Sequence, residues 1–256
     1  MAGDPPDTFK SLTRIIPIQP VTFFNQLNKF GVPVQPPWKP YESLWLAEEE
    51  QVKKSIFKFF QTTKEGEFQF VHQILNALPE KCNLHLANSM TVRYANHIGL
   101  TPSQKNVTVF SNRGTSGIDG CTSTAVGNAL VSEVVNVLVT GDQAFFYDRN
   151  AFWHNYNIPN LFVVVLNNHG GIIFNLIDGP SGLPEAEEFF ITRQKLNAQS
   201  LASEFGYSYN IPSNTSLKEF FTGNGNIKIL EIDTPQAMNK NIFEDFKKEI
   251  KKIYGK

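Results

Sequence analysis

Apolar residues along the chain follow two different periodicities. Five runs rich in Val, Ile and Leu have the length and composition of buried β-strands. These runs cover residues 83–88, 107–111, 134–140, 161–167 and 227–233. Elsewhere apolar residues recur at helical spacing, at residues 41–61 and 66–79, in segments starting near Gly120, Phe146, Gln194 and Leu217, and in a final amphipathic stretch at 241–255. Strands that alternate with helices predict an α/β fold, in which helices cover both faces of a parallel sheet.

The first 40 residues have a different pattern, with many prolines. Proline fixes φ and removes a backbone donor, so this stretch is predicted to be an extended connector, the tail of a preceding middle domain. It contains one candidate strand, from Arg14 to Ile18. Residues 41–256 are predicted to form one domain.

The composition excludes several classes of function. The 256 residues are 41% hydrophobic and 18% charged, which is typical of a globular protein. A net charge of −1 gives no basic surplus that would attract nucleic acid or anionic lipid. No apolar run approaches the ~20 residues of a membrane helix, and no secretory signal is visible, so a cytoplasmic protein is expected. Cys82 and Cys121 lack metal-binding spacing and are predicted to be buried free thiols.

Two of the predicted strands end abruptly in polar residues, Gly141-Asp142 and Asn167-Asn168. Asp142 and Asn168 are 26 positions apart, which fits one strand–helix–strand crossover. The carboxyl ends of parallel strands share one edge of a sheet, where ligands bind, so the two side chains are expected to converge. Their oxygens, with a backbone carbonyl from the following glycines, suit Mg²⁺. The alternative is structural: Asp142 would cap a helix, and Asn168 would shape a turn.

Four motifs in this order resemble a known family. A strand ending in Gly-Asp, followed about 25 residues later by a strand ending in Asn-Asn, is the motif that binds Mg²⁺ and thiamine diphosphate (ThDP). Three further stretches support the resemblance: "NSMTVR" at 88–93, "SNRGTSGIDG" at 111–120 and "NNHGGIIFNLI" at 167–177. The chain resembles the C-terminal, ThDP-binding region of the 2-succinyl-5-enolpyruvyl-6-hydroxy-3-cyclohexene-1-carboxylate synthase (MenD) family of menaquinone biosynthesis.

The resemblance implies a metal and cofactor site in residues 41–256. Asp142, Asn168 and the carbonyl of Gly170 would hold Mg²⁺, with Mn²⁺ as an alternative ion, and the ion would bind the cofactor's diphosphate. The other residues that would contact the cofactor are Gly117, Ile118, Gly141, Gln143 and Gly171. Gln143 stands where many ThDP enzymes have a third glycine, a position at which the family resembled here varies.

The resemblance also implies catalytic and substrate-binding residues. Ile118 would be the apolar wedge that bends the cofactor, and Ile173 and Phe174 would lie near its thiazolium ring. Ser89, Arg93 and Arg113 would bind the carboxylates of the substrates, and the fork of an arginine suits that task. Taken singly, the apolar residues could belong to the core, the arginines to surface ion pairs, and Ser89 to a helix N-cap.

The implied reaction decarboxylates 2-oxoglutarate and adds the succinyl unit to isochorismate. In this family the cofactor's pyrimidine ring is held by a domain near the N-terminus of the enzyme, from another subunit of a homo-oligomer. The chain is therefore expected to be a C-terminal part, inactive alone, as either a truncation or a natural split subunit. The alternatives are another ThDP-dependent 2-oxoacid decarboxylase or acetolactate-synthase-like enzyme, and a non-catalytic assembly domain.

Overall fold

The computed structural model describes residues 6–31, 38–63, 65–177 and 179–254. The chain divides into two compact units, residues 1–51 and residues 52–256. The predicted domain boundary between residues 40 and 41 stays a prediction. Part of the proline-rich stretch, residues 1–5 and 32–37, lies outside the described residues.

A six-stranded parallel sheet forms the centre of the larger unit. Its strands, in chain order, are β1 (Lys81–Leu86), β2 (Asn106–Phe110), β3 (Val135–Gly141), β4 (Leu161–Asn167), β5 (Ser208–Asn210) and β6 (Lys228–Asp233). They lie in the order β2-β1-β3-β4-β6-β5. The parallel α/β fold predicted from the alternation of strands and helices is confirmed.

Nine α-helices occur among the described residues, and each of the five connections between consecutive strands contains one. They are α1 (Pro20–Lys29), α2 (Trp38–Thr62), α3 (Glu67–Ala77), α4 (Met90–Ile98), α5 (Cys121–Val131), α6 (Asp142–Tyr147), α7 (Ala198–Phe205), α8 (Leu217–Thr222) and α9 (Gln236–Tyr254). Most agree with the helical periodicity. Three starts were misplaced, since α6 begins at Asp142 rather than near Phe146, α7 at Ala198 rather than near Gln194, and α9 at Gln236 rather than at residue 241. The helix α4 was not predicted.

The candidate strand from Arg14 to Ile18 is wrong. These residues are irregular in the structure, and the chain then enters α1 rather than remaining an extended connector. Ile15 and Ile16 are about half exposed, at 52% and 50%. A short extended segment is stable only when it pairs with a neighbouring strand, and all strands of the described sheet belong to the larger unit.

The two faces of the sheet pack against separate apolar cores, and β4 contributes to both. All seven of its residues are buried. Val164 and Leu166 lie in the core that includes α3 and α9, whereas Val163 and Val165 lie in the core that includes α5 and α7. Burying such a side chain stabilises the fold by about 1.5–3 kcal/mol. The period-two alternation of a strand therefore explains why the run from 161 to 167 is apolar throughout.

No helix among the described residues combines the length and the apolar character needed to span a bilayer.

The two cysteines are buried free thiols, as predicted. Burial raises the pKa of the Cys82 thiol to about 11 and also raises that of Cys121. Because the thiolate is the reactive form, we expect neither cysteine to react with iodoacetamide at neutral pH, and both to react in denaturant. Mass spectrometry of the alkylated protein measures this. Rapid alkylation of Cys82 in the folded chain would contradict its burial in β1.

Candidate functional site

The candidate site lies where the sheet connections change direction. From β1 the chain continues to β2 on one side, whereas β3, β4 and β6 extend the sheet on the other side. Ligands of such sheets bind beyond the carboxyl ends of the strands at this switch point. Leu86 pairs with Val139, and Gly141 pairs with Leu166, so β1, β3 and β4 end close together.

A cavity of about 350 Å³ opens beyond these strand ends. All the residues predicted for the site line it: Ser89, Arg93, Arg113, Gly117, Ile118, Gly141, Asp142, Gln143, Asn168, Gly170, Gly171, Ile173 and Phe174. The loops that follow β1, β2, β3 and β4 each contribute some of them. The structure thus brings together residues that are up to 85 positions apart, from Ser89 to Phe174, while their individual roles stay predictions.

Asp142 and Asn168, the predicted metal ligands, are both buried, with exposures of 1% and 5%. Burial raises the pKa of the Asp142 carboxyl, and this effect is opposed by hydrogen bonds from the Gln194 amide and the backbone N–H groups of Gln143 and Gly170. Gln194 Nε2 lies 2.7 Å from Asp142 Oδ2. A carboxylate held by neutral donors in a buried site gains much from a nearby cation.

The structural alternative for these two residues is not what the geometry shows. The N-cap of α6 is Gly141, and Asp142 is the first residue of that helix. The turn after β4 is formed by the left-handed backbone of His169, at φ 62°, and by Gly170, at φ 159°. An added Cβ on Gly170 would lie 2.8 Å from the carbonyl oxygen of Ile191, so this position requires glycine.

Asn88 connects the loops that carry the substrate-binding candidates. Its Nδ2 donates to the carbonyls of Asn112 and Gly117, at 2.6 and 2.5 Å, and its Oδ1 accepts from Arg113 at 3.2 Å. Ser89 has φ 77° and ψ −133°, a region that residues with side chains rarely adopt, and it makes no side-chain cap to α4. The hydrogen bond from Arg93 to the Ser89 carbonyl contributes to holding this unusual backbone conformation.

Arg93 and Arg113 form a positive corner of the cavity. Burial lowers the pKa of Arg93, and the charge of Arg113 lowers it further. Arg93 donates to the carbonyl of Ser89 at 2.6 Å, and neither arginine joins any ion pair found between described residues. The alternative of surface ion pairs is therefore not observed in the described chain. Two neighbouring guanidinium groups in a cavity suit an anionic ligand.

The apolar wall is formed by half-buried side chains. Ile118 packs against Ala87, Cys121 and Ala144, and Ile173 packs against the core that includes α3. Phe174 makes an edge-to-face contact with Phe190 at 5.4 Å between ring centroids. These residues serve the core on one side and line the cavity on the other, so packing and a binding role are compatible.

A segment with π-helical geometry, Ala186–Ile191, is hydrogen-bonded to two residues that line the cavity. The Ile191 carbonyl accepts hydrogen bonds from Gly171 N, at 2.7 Å, and from Gln143 Nε2, at 3.0 Å. Gln143, which the sequence placed on the cofactor, therefore also anchors this segment. A π-helical turn is uncommon and often lies at a functional site.

Glu67 lines the cavity and Gln236 contacts Asn168, but nothing in the sequence pattern singles out either residue. Glu67 is 2% exposed and lines the cavity. Burial raises its pKa to about 8, its hydrogen bond with Asn168 opposes this rise, and the charge of Asp142 adds to it. Glu67 is the first residue of α3 and Gln236 the first residue of α9. Polar side chains are common at the start of a helix, so neither residue stands out in the sequence.

The donor set fits a hard divalent cation. Asp142 supplies a carboxylate, Asn168 an amide oxygen, and the following turn backbone carbonyls, which are the ligands that Mg²⁺ accepts. No group of three or more His, Cys, Asp or Glu side chains with metal-binding geometry occurs in the described part of the chain. An added Cβ on Gly141 would meet no atom within 4 Å, so backbone there borders open space.

The close packing of Gly171 yields a test of this loop. A Cβ at Gly171 would lie 2.8 Å from the carbonyl oxygen of Phe190 and 2.9 Å from Phe174 Cδ2, so we expect Gly171→Ala to destabilise the fold by ~1–3 kcal/mol. Gly127→Ala is the control, because it lies in α5 with no atom near its Cβ and should stabilise by ~0.5–1 kcal/mol. Urea unfolding midpoints measure both variants. Equal stabilisation by both would contradict the packing of Phe190 on this loop.

The comparisons with known proteins agree on one family. No protein-family model matches the chain. Three similar proteins, all named 2-succinyl-5-enolpyruvyl-6-hydroxy-3-cyclohexene-1-carboxylate synthase, come from Cytophaga hutchinsonii (47% identical over 97% of this chain), Flavobacterium johnsoniae (34% over 95%) and Bacteroides thetaiotaomicron (36% over 81%). The chain spans 44%, 44% and 35% of their respective lengths. Over the part that it spans, this chain belongs to the 2-succinyl-5-enolpyruvyl-6-hydroxy-3-cyclohexene-1-carboxylate synthase (MenD) family.

Proposed function

We propose that the cavity binds the diphosphate end of ThDP through Mg²⁺, as the C-terminal part of a menaquinone-biosynthesis synthase. The observation that carries this proposal is the convergence of the two buried oxygen donors, the glycine-bearing loops and the arginine pair on one cavity. The names of the similar proteins support the synthase activity.

The oxygen donors and the glycines have separate tasks in this proposal. Asp142, Asn168 and the Gly170 carbonyl would hold Mg²⁺, or Mn²⁺ in its place. Gly141 borders open space at the end of β3, so a diphosphate can approach the backbone there. When bound, ThDP supplies an electron sink for decarboxylation of a 2-oxo acid and transfer of the remaining unit to an acceptor.

The apolar wall would orient the ring system and exclude water. Ile118, Ile173 and Phe174 already pack on the protein side, so each is held in place before a ligand binds. Preorganised apolar walls fix a bound group at little entropic cost. Gln143 donates a hydrogen bond to the Ile191 carbonyl, and Gln194 donates one to Asp142. These two bonds connect the 191–194 segment to residues that line the cavity.

The arginine pair selects the substrate class. Each guanidinium can pair with a carboxylate, so a substrate with two carboxylates uses both Arg93 and Arg113. 2-Oxoglutarate and isochorismate each have two carboxylates, and they are the substrates we propose. Ser89 lines the same cavity, its carbonyl accepts a hydrogen bond from Arg93, and it would donate its hydroxyl to the same carboxylates.

The remaining parts of the proposal concern the whole enzyme. The pyrimidine end of the cofactor would be held by a domain outside these 256 residues, in another subunit of a homo-oligomer. The chain spans less than half the length of the first two relatives, so we expect it to lack synthase activity alone. We place the enzyme in the cytoplasm, where buried free thiols such as Cys82 and Cys121 are usual.

Calorimetry with ThDP and Mg²⁺ tests the metal site. Asp142→Ala removes the charged ligand, so we expect at least ~100-fold weaker binding, beyond the 10–100-fold typical of residues that only support a ligand. Asp245→Ala is the control, because Asp245 is an exposed aspartate on α9 paired with Lys248. Indistinguishable binding heats for the wild type and Asp142→Ala would favour a non-catalytic assembly domain.

Binding of 2-oxo acids tests the arginine pair. We expect the chain loaded with ThDP and Mg²⁺ to prefer 2-oxoglutarate to pyruvate. Arg93→Met and Arg113→Met should each weaken 2-oxoglutarate binding about tenfold or more, because a hydrogen bond to a charged group contributes ~1.5–3 kcal/mol. Arg149→Met, which breaks an exposed pair with Glu204, is the control. A preference for pyruvate, measured by ligand-detected NMR, would favour an acetolactate-synthase-like enzyme.

A further inference from the structure

Two buried polar side chains, Glu67 and Gln236, meet at the proposed metal ligand Asn168. Its Nδ2 donates to Glu67 Oε1 at 2.7 Å, and its Oδ1 accepts from Gln236 Nε2 at 2.9 Å. Glu67, Asn168 and Gln236 are 2%, 5% and 7% exposed. Both ends of the Asn168 carboxamide are therefore bound by protein groups.

This arrangement distinguishes the two ends of the amide. A carboxylate accepts hydrogen bonds from an NH₂ group, and the Gln236 NH₂ group donates to an oxygen. If the Asn168 amide were turned over while Gln236 kept its orientation, two NH₂ groups would face each other at Gln236, and two oxygens would face each other at an ionised Glu67. Such unmade hydrogen bonds are costly in a buried site. The pair therefore selects one orientation of the amide.

The positions of both partners are themselves fixed by α9. Gln236 is the first residue of that helix. Asn239, one turn later, accepts a hydrogen bond from Glu67 N at 2.9 Å and donates to Thr234 at 2.8 Å. Glu67 begins α3 after Gly66, whose φ of 90° and close approach to Ile242 leave no space for a side chain. Two helices that are remote in sequence thus converge on one strand end.

We propose that Glu67 and Gln236 are positioning residues, which fix the Asn168 carboxamide with its oxygen available to the cation. This inference rests on the proposed ThDP–Mg²⁺ function. The amide oxygen has two lone pairs, so it can accept from Gln236 and bind a cation at the same time. Partners that orient a metal ligand in this way typically affect metal affinity 10–100-fold.

The test compares four variants of the chain. Glu67→Ala removes the acceptor, and Gln236→Met removes the donor while keeping a similar side-chain length. Glu67→Gln is the conservative variant, since its carbonyl oxygen can still accept from Asn168. Gln69→Met is the matched control, because Gln69 is a buried glutamine of α3 that does not line the cavity. Thermal unfolding of the metal-free variants shows which of them fold.

Two measurements separate positioning from a general structural role. In the metal-free chain, NMR follows solvent exchange of the Asn168 side-chain NH₂ group. With ThDP present at a fixed high concentration, electron paramagnetic resonance measures the affinity for Mn²⁺. We expect Glu67→Ala and Gln236→Met to accelerate the exchange and to weaken Mn²⁺ binding 10–100-fold. Glu67→Gln and Gln69→Met should remain within about threefold of the wild type, well below that range.

The outcomes distinguish this inference from the proposed function. A wild-type chain that binds no Mn²⁺ with ThDP would overturn the metal site, and the inference with it. Normal wild-type binding that Glu67→Ala and Gln236→Met leave unchanged, with unchanged NH₂ exchange, would overturn the positioning role alone. Equal losses in Gln69→Met and Gln236→Met would also overturn it, since they would show a general effect of burial.

Discussion

The parallel pairing of β3 with β4 is the constraint on which the site depends. Both strands are almost wholly buried, so their apolar residues fix the register that pairs Gly141 with Leu166. The carboxyl ends of two parallel strands lie at the same edge of the sheet. Asp142 directly follows β3, and Asn168 directly follows β4. A shift of one residue would turn every side chain of β4 to the opposite face and move Asn168 away from Asp142. The same strand register therefore determines both the packing of the core and the geometry of the site.

The second physical feature is an unusual concentration of buried polar groups. Glu67 and Asp142 are buried carboxyl groups whose hydrogen-bond donors include the amides of Asn168 and Gln194 and backbone N–H groups. Burial raises the pKa of both carboxyls, because the ionised forms lose hydration that these donors only partly replace. A divalent cation offsets this cost more fully than any neutral donor does. In our proposal Asp142, a carboxylate that is costly to bury, thus supplies affinity for the cation.

The sequence allowed the sheet and most of the site to be predicted, for identifiable reasons. Apolar runs of strand length located five strands, and β5 was missed because three residues at a sheet edge show no periodicity. Asp142 and Asn168 stood out because they interrupt such runs, and the family motifs supplied the loops around them. Glu67 and Gln236 could not be selected, because their role depends on tertiary contacts with Asn168, which lies 101 positions from Glu67 and 68 from Gln236. The candidate strand at Arg14–Ile18 failed because local pattern does not show whether a partner strand exists.

The central claim is that the ends of β3 and β4 form one cation site for a diphosphate. Crystals grown with ThDP and Mn²⁺ test it most directly, because manganese gives an anomalous signal that locates the ion without assumptions. Our account predicts an anomalous peak at bonding distance, about 2.1 Å for the Mg²⁺ that it replaces, from Asp142 Oδ, Asn168 Oδ1 and the Gly170 carbonyl. It also predicts a diphosphate beside Gly141. A manganese peak away from these oxygens, or a diphosphate bound elsewhere, would contradict it.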